Sequence, residues 1–287
     1  MKTHALAPAH VEVSVLLAAA SLLFATSLHG QELAVPPPRV AVEATLDLTS
    51  RYLFRGYELD SRGAVFQPSA TVGFTVLSHS SGALRELSAG AVAWSSVHAG
   101  TRAYPGQLGW FEVDLSADVS AGFSNGWTAG LVYTSYLAPD AAFDVIHEIA
   151  AVVGLGTIGR PGTVTVMPTV LVAQEFHDAG SSEDTYLELG GDVELPTTGV
   201  ISWTVPVTVG MSIDGYYRNV SGGNEWFGFL GSGLEASAEL AHLGLPDLPG
   251  GLTGAVDFTV VNDEAELAQD PGNRVLWTAR MGLSVAF

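Results

Sequence analysis

The charged residues are few and uneven in sign, and any chemistry has to start from their spacing. Lys and Arg together number 11 against 30 Asp and Glu, a formal net charge of −19. Glu43, Asp47, Glu112, Asp114, Asp118, Asp144, Glu148, Glu188, Asp192, Glu194, Asp214, Glu235, Glu239 and Asp257 all fall out of step with their apolar neighbours. Successive side chains of a strand point to opposite faces, so these carboxylates are expected on one face. Most lack a basic partner, and an unpaired buried charge is very costly. They need water. A hydrated lumen with negative walls attracts cations and repels anions. Arg51 and Arg55 lie between aromatic rings in Ser50–Tyr57 (SRYLFRGY) and share the parity of Glu43 and Asp47. Arg274 and Arg280 have the inward parity of the closing segment. These four arginines are expected to line one seam of the acidic wall, as counter-ions or as the source of a transverse field that orients a dipolar solute.

Other chemistries are weaker. Gly154–Gly159 (GLGTIG) has the G-x-G-x-x-G form, but a dinucleotide site needs a helix next, to offer its N-terminus to a pyrophosphate. Arg160-Pro161-Gly162 follows instead, so a turn is expected. His147 has the parity of Val145 and Ile149. A lipid-facing histidine would suit an outer-membrane lipase, which also needs a nucleophile and an orienting partner. No serine stands out nearby on that face, so His147 reads as a tolerated polar residue. The acidic stretches 178–184 and 262–270 lack the ligand spacing of a cation site, and Asn219-Val220-Ser221 reads as an accidental glycosylation form. With no cysteine there is no disulfide or thiolate metal site. The acidic balance disfavours nucleic acid. No enzyme activity and no cofactor are expected.

The elements that position these residues follow from alternation. Phe111, Val113, Leu115, Ala117, Val119, Ala121 and Phe123 form one face, against Glu112, Asp114, Ser116, Asp118 and Ser120 on the other. Such period-two runs recur near 40–56, 64–77, 86–96, 110–123, 127–137, 142–155, 163–175, 185–195, 202–216, 226–240, 251–261 and 274–287, which makes roughly twelve strands. A soluble sheet turns its polar face outward, and a membrane barrel turns its apolar face outward. Strands of about eleven to fifteen residues suit a tilted membrane crossing better than a soluble sheet. The polar faces carry hardly any Lys. Aromatics gather near the strand ends, and Tyr52, Phe54, Trp94, Trp110, Trp127, Trp203, Tyr216, Trp226, Trp277 and Phe287 are expected in two interfacial girdles. The fold expected is an all-β, antiparallel transmembrane barrel of about twelve strands over 40–287.

The N-terminus reads as an export leader. Lys2 precedes the apolar run Val13–Phe24 (VSVLLAAASLLF), and small residues at Ala25, Ser27 and Gly30 suit cleavage near Gly30. Residues 1–30 are thus a signal peptide, and 31–39 with Pro36-Pro37-Pro38 a stiff periplasmic segment. Ser124-Asn125-Gly126 is a tight hairpin signal.

Ser50, Tyr52, Phe54, Arg55 and Gly56, followed by Gln67 and Pro68, resemble the opening of the TorF porin family. The likeness covers about thirty residues. It implies an outer-membrane barrel acting as a passive channel for small polar solutes or ions. The terminal Val285-Ala286-Phe287 resembles the signal that barrel-assembly machinery reads, which makes that machinery a partner through Phe287, alongside outer-membrane lipid and small solutes. The parity argument adds a mild cation preference. The alternatives are a non-conducting structural or adhesion barrel and an outer-membrane lipase-type enzyme.

Overall fold

A computed structural model describes residues 40–79, 81–99, 109–139, 141–160, 162–177, 184–265, 267–268, 270 and 272–287. The expected leader and the Pro-rich segment over 1–39 lie outside the described residues, as does most of the acidic stretch 178–184. In chain order the strands are β1 (Val40–Thr49), β2 (Tyr52–Phe54), β3 (Tyr57–Asp60), β4 (Val65–Ser78), β5 (Leu84–His98), β6 (Gly109–Phe123), β7 (Thr128–Leu137), β8 (Ile146–Gly154), β9 (Ile158–Gly159), β10 (Thr165–His177), β11 (Thr185–Thr198), β12 (Ile201–Asp214), β13 (Phe227–Glu239), β14 (Gly250–Val261) and β15 (Val275–Ala286). Among the described residues, twelve of them (β1, β4–β8 and β10–β15) form one closed antiparallel barrel. Each pairs with its neighbour in sequence. The circle closes where β15 meets β1, from Glu43 opposite Ala286 to Thr49 opposite Arg280.

Closure leaves no open barrel edge, which a membrane-spanning sheet requires because lipid offers no hydrogen bonds. The alternation then sorts the side chains between two environments. Leu131, Val256 and Met281 point outward and are more than half exposed, while Glu112, Glu148 and Glu175 point inward and are buried. This apolar exterior around a charged interior is the polarity of a transmembrane β-barrel.

The two ends differ. β1 begins and β15 ends at one end, called the near end, with tight turns such as that between β6 and β7. There Gly126 takes φ 84°, and its amide donates to the Phe123 carbonyl at 3.0 Å. The G-x-G-x-x-G stretch lies at the near end too, as a turn with the short β9 laid against β10. A 3-10 helix, Leu240–Leu243, fills the connection from β13 to β14.

The far end departs from the expected pattern. The first strand was expected to run to residue 56, but β1 stops at Thr49. The Thr49 hydroxyl donates to the Arg51 carbonyl at 2.9 Å. Ser50 takes over the pairing with Ala279, accepting from its amide through Oγ at 2.9 Å. The chain then turns inward as the β2–β3 hairpin, which pairs only with itself. Its tip is Arg55-Gly56, both with positive φ, 42° and 84°. Positive φ at both central residues defines a type I′ turn. Gly56 is needed for space as well: a Cβ there would stand 2.9 Å from the Phe229 side chain.

Candidate functional site

The hairpin fills the far half of the barrel. Tyr52, Phe54, Arg55, Glu58, Leu59 and Asp60 are all buried. They pack among inward side chains from every side of the wall, including Trp94 of β5, Phe111 of β6, Tyr136 of β7, Ile146 of β8, Tyr186 of β11, Phe229 of β13 and Leu276 of β15. Tyr216 and Tyr217 fold over from the connection after β12, and Leu267 from the connection after β14. The Glu58 amide donates to the Leu267 carbonyl at 2.8 Å.

Arg55 is the centre of this packing at 4% exposure. Its Nη1 and Nη2 donate to the two Glu148 carboxylate oxygens at 2.9 and 3.1 Å. Nη1 also reaches the Tyr216 hydroxyl at 3.2 Å, and Glu175 lies 3.7 Å away. The guanidinium stacks on the Tyr186 ring, 4.0 Å from its centroid. The Tyr217 hydroxyl donates to the Arg55 carbonyl at 2.7 Å, fixing the turn itself. Bidentate pairing and ring stacking are what a guanidinium offers and an ammonium does not.

Two more hydrogen-bonded links tie the hairpin down. The Tyr52 hydroxyl donates to Glu112 at 2.7 Å. Asp60 lies 2.8 Å from His98 Nδ1, and His98 Nε2 lies 2.8 Å from Ser96 Oγ. This is the connectivity of a hydrolase triad. Its serine, histidine and aspartate are 0, 1 and 1% exposed, so no substrate carbonyl reaches the serine while the hairpin is seated. In this conformation the link fastens β3 to β5.

The near half is lined differently. Glu43, Asp47, Asp118, Asp192, Glu194, Glu235 and Asp257 are only partly buried there. Arg280 donates to Glu235 at 3.0 Å and lies 4.0 Å from Asp257. Three of the aspartates face a glycine across the ladder: Asp47 opposite Gly282, Asp118 opposite Gly90 and Asp257 opposite Gly233. A Cβ on any of these glycines would stand within 2.4 Å of the carboxylate. The missing side chain lets each carboxylate lie flat along the wall.

Several expectations require correction. Tyr52 and Phe54 are in the lumen and not in a girdle, because β1 ends at Thr49 and the chain turns inward there. Trp94 also points inward, in step with the buried Val92, Ser96 and His98 of the same strand. Tyr216 covers the plug from the connection after β12. Phe111 turns inward because of a bulge: Ser96 faces Glu112 while Val97 faces Trp110. Trp110, Trp127, Trp226, Trp277 and Phe287 are exposed, and Trp203 is partly so.

The arginine seam does not form. Arg51 pairs with Glu58 at the hairpin, Arg55 is enclosed, Arg274 pairs with Asp263 on the far-end connection and Arg280 lies in the near half. Of the predicted acidic wall, Glu112, Asp114, Glu148 and Glu188 lie in the packed far half. Asp144 is exposed on the connection before β8, and Asp214 and Glu239 are exposed at strand ends. Sequence reasoning missed Glu175, Asp60, Ser96 and His98. The parity of Glu175 with Leu171 and Ala173 would have revealed it. Nothing local marks Asp60. The expectation of no serine beside His147 is also corrected: Ser135 of β7 faces it across the ladder.

No protein-family model matches the chain, and no curated protein matches it. Several solved structures are similar to it. The NanC porin has a TM-score of 0.45 at 9% identity, covering 86% of this chain and 98% of that one. LpxR from Salmonella typhimurium has a TM-score of 0.41 at 10% identity, covering 85% and 99%. The translocator domain of the autotransporter NalP from Neisseria meningitidis has a TM-score of 0.38 at 12% identity, covering 88% and 89%.

Proposed function

We propose that this chain is a porin-like barrel of a bacterial outer membrane, exported by its leader, that passes small polar solutes with a preference for cations. The near end faces the periplasm and the far end the exterior, in keeping with short inner turns. Phe287 is the residue offered to the assembly machinery. The conformation described is the closed one, and the β2–β3 hairpin is the closing element. The observation that carries this reading is the division of the lumen. Its near half is lined by partly exposed carboxylates against Arg280. Its far half is closed by a hairpin that shares no ladder with the wall. A segment that shares no strand pairing with the wall can leave without breaking the barrel.

Single-channel recording from the refolded chain in planar bilayers tests this. The wild type is expected to open rarely, and a variant with residues 51–63 replaced by a short Gly-Ser linker to conduct steadily. A reversal potential showing anion preference removes the cation claim. Silence from both proteins, with the barrel folded, favours the second reading, a non-conducting structural barrel. The close packing of the plug supports that second reading.

A further inference from the structure

We propose that the outside of the barrel carries a second activity, hydrolysis of an acyl ester of a membrane lipid, with Ser135 as nucleophile and His147 as base. Ser135 on β7 and His147 on β8 are direct cross-strand partners. Ser135 Oγ lies 3.0 Å from His147 Nδ1. The Tyr133 hydroxyl lies 2.9 Å from the same nitrogen and 3.1 Å from Ser135 Oγ. The imidazole is sandwiched between the rings of Tyr133, at 6.0 Å and 15°, and Phe176, at 5.9 Å and 27°. Nucleophile and base are thus within the reach that general-base activation needs, and the base is held in a fixed orientation by neighbouring rings.

The setting identifies the substrate class. Ile146, Glu148 and Ala150 of β8 are buried inward, so His147 and Ile149 face lipid. The next outward residue across β7 from Ser135 is Leu115 of β6. Leu115, Leu131 and Ile149 are exposed apolar surface running toward the middle of the barrel. The polar group lies near the far ends of β7 and β8, at the level where a bilayer gives way from acyl chain to headgroup. A lipid ester bond occurs at that level, with its acyl chain pointing toward the apolar strip. The membrane itself delivers the substrate, which the enclosed Ser96 and His98 cannot receive.

The chemistry balances with water alone. Ser135 Oγ gives its proton to His147 Nδ1 and attacks the ester carbonyl carbon. The Tyr133 hydroxyl donates to the carbonyl oxygen as it becomes anionic. His147 returns the proton to the departing alcohol oxygen of the lipid, leaving an acyl ester on Ser135. Water, deprotonated by His147, then cleaves that ester to a fatty acid and restores the serine. The net reaction is lipid ester plus water to lysolipid plus fatty acid.

The test uses the full chain refolded into vesicles, with folding checked by heat-modifiable gel mobility. One arm holds a diacyl phosphatidylethanolamine and phosphatidylglycerol mixture, and the other adds an acylated glucosamine lipid. Fatty-acid release is read by mass spectrometry. Release in at least one arm is expected, and the arms tell the two lipid sources apart. Ser135→Ala and His147→Ala should each lower the rate about 10²-fold or more, with the barrel still folded. Tyr133→Phe should lower it with the ring stack retained. A fluorophosphonate probe should label Ser135 in the wild type. No release in either arm, or release that survives Ser135→Ala, overturns the proposal. Neither result bears on conduction, which is measured separately.

Discussion

Arg55 is a charge in a place where charge is costly, and Glu148 is what makes that place tolerable. Removing one partner of a buried ion pair strands the other, at about 3–5 kcal/mol. Arg55→Ala and Glu148→Gln are each expected to destabilise the barrel on that scale in urea-dependent folding into vesicles. The double variant should lose less than the sum, because neither member of the Arg55–Glu148 pair is then left without the other. The turn next to it makes a separate demand. Gly56→Ala meets Phe229 at 2.9 Å with φ at +84°, and a left-handed alanine alone costs about 1–2 kcal/mol. The same measurement should show that loss or more. A wild-type midpoint for Gly56→Ala would mean that the hairpin does not seat as described. The arginine and its glycine were both noticed in the sequence. Their pairings were not, because Glu148 is 93 residues away and Tyr217 is 162.

Among the elements, the β2–β3 hairpin sets what the barrel can do. It hydrogen-bonds as a ladder only to itself, so the wall persists when it leaves. Weakening its anchors one at a time should grade the conductance. Tyr52→Phe removes the bond to Glu112 and His98→Phe the bond to Asp60, and each is expected to lengthen open times in single-channel records. Open times equal to wild type in both would count against the hairpin as the closing element. The barrel strands were largely legible, since period two survives wherever one face meets lipid and the other does not. The hairpin was not. Its residues alternate in step with β1, and a strand that bends into a lumen has the same period as one that crosses a membrane. The bulge at Phe111 was hidden for a related reason: one inserted residue changes the face without changing the composition.

The molecule as a whole separates two environments, and each should respond to its own substitutions. Val256→Arg places a charge on the lipid face in mid-strand and should cost about 2–4 kcal/mol in folding. Asp257, the next residue, lies on the other face. Asp47→Asn combined with Asp257→Asn, in the barrel lacking the hairpin, should leave folding little changed and move the reversal potential toward anions. Arg280→Ala should move it the other way. An unchanged reversal potential in both would show that these carboxylates do not govern the ion path.

The sequence by itself determined the wall: strands of membrane-crossing length, an apolar outside, carboxylates inside and tight turns near the termini. Each of these depends on the identity of neighbours one or two residues apart, which a linear chain records. Only the tertiary structure decided what occupies the space within. Closing twelve strands brings to one axis side chains that are scattered over the whole chain. There the SRYLFRG stretch finds its partners on β6, β8, β10 and β11 and on the connection after β12. Whether a lumen is filled depends on how these distant volumes and charges fit together, and no local periodicity encodes that fit.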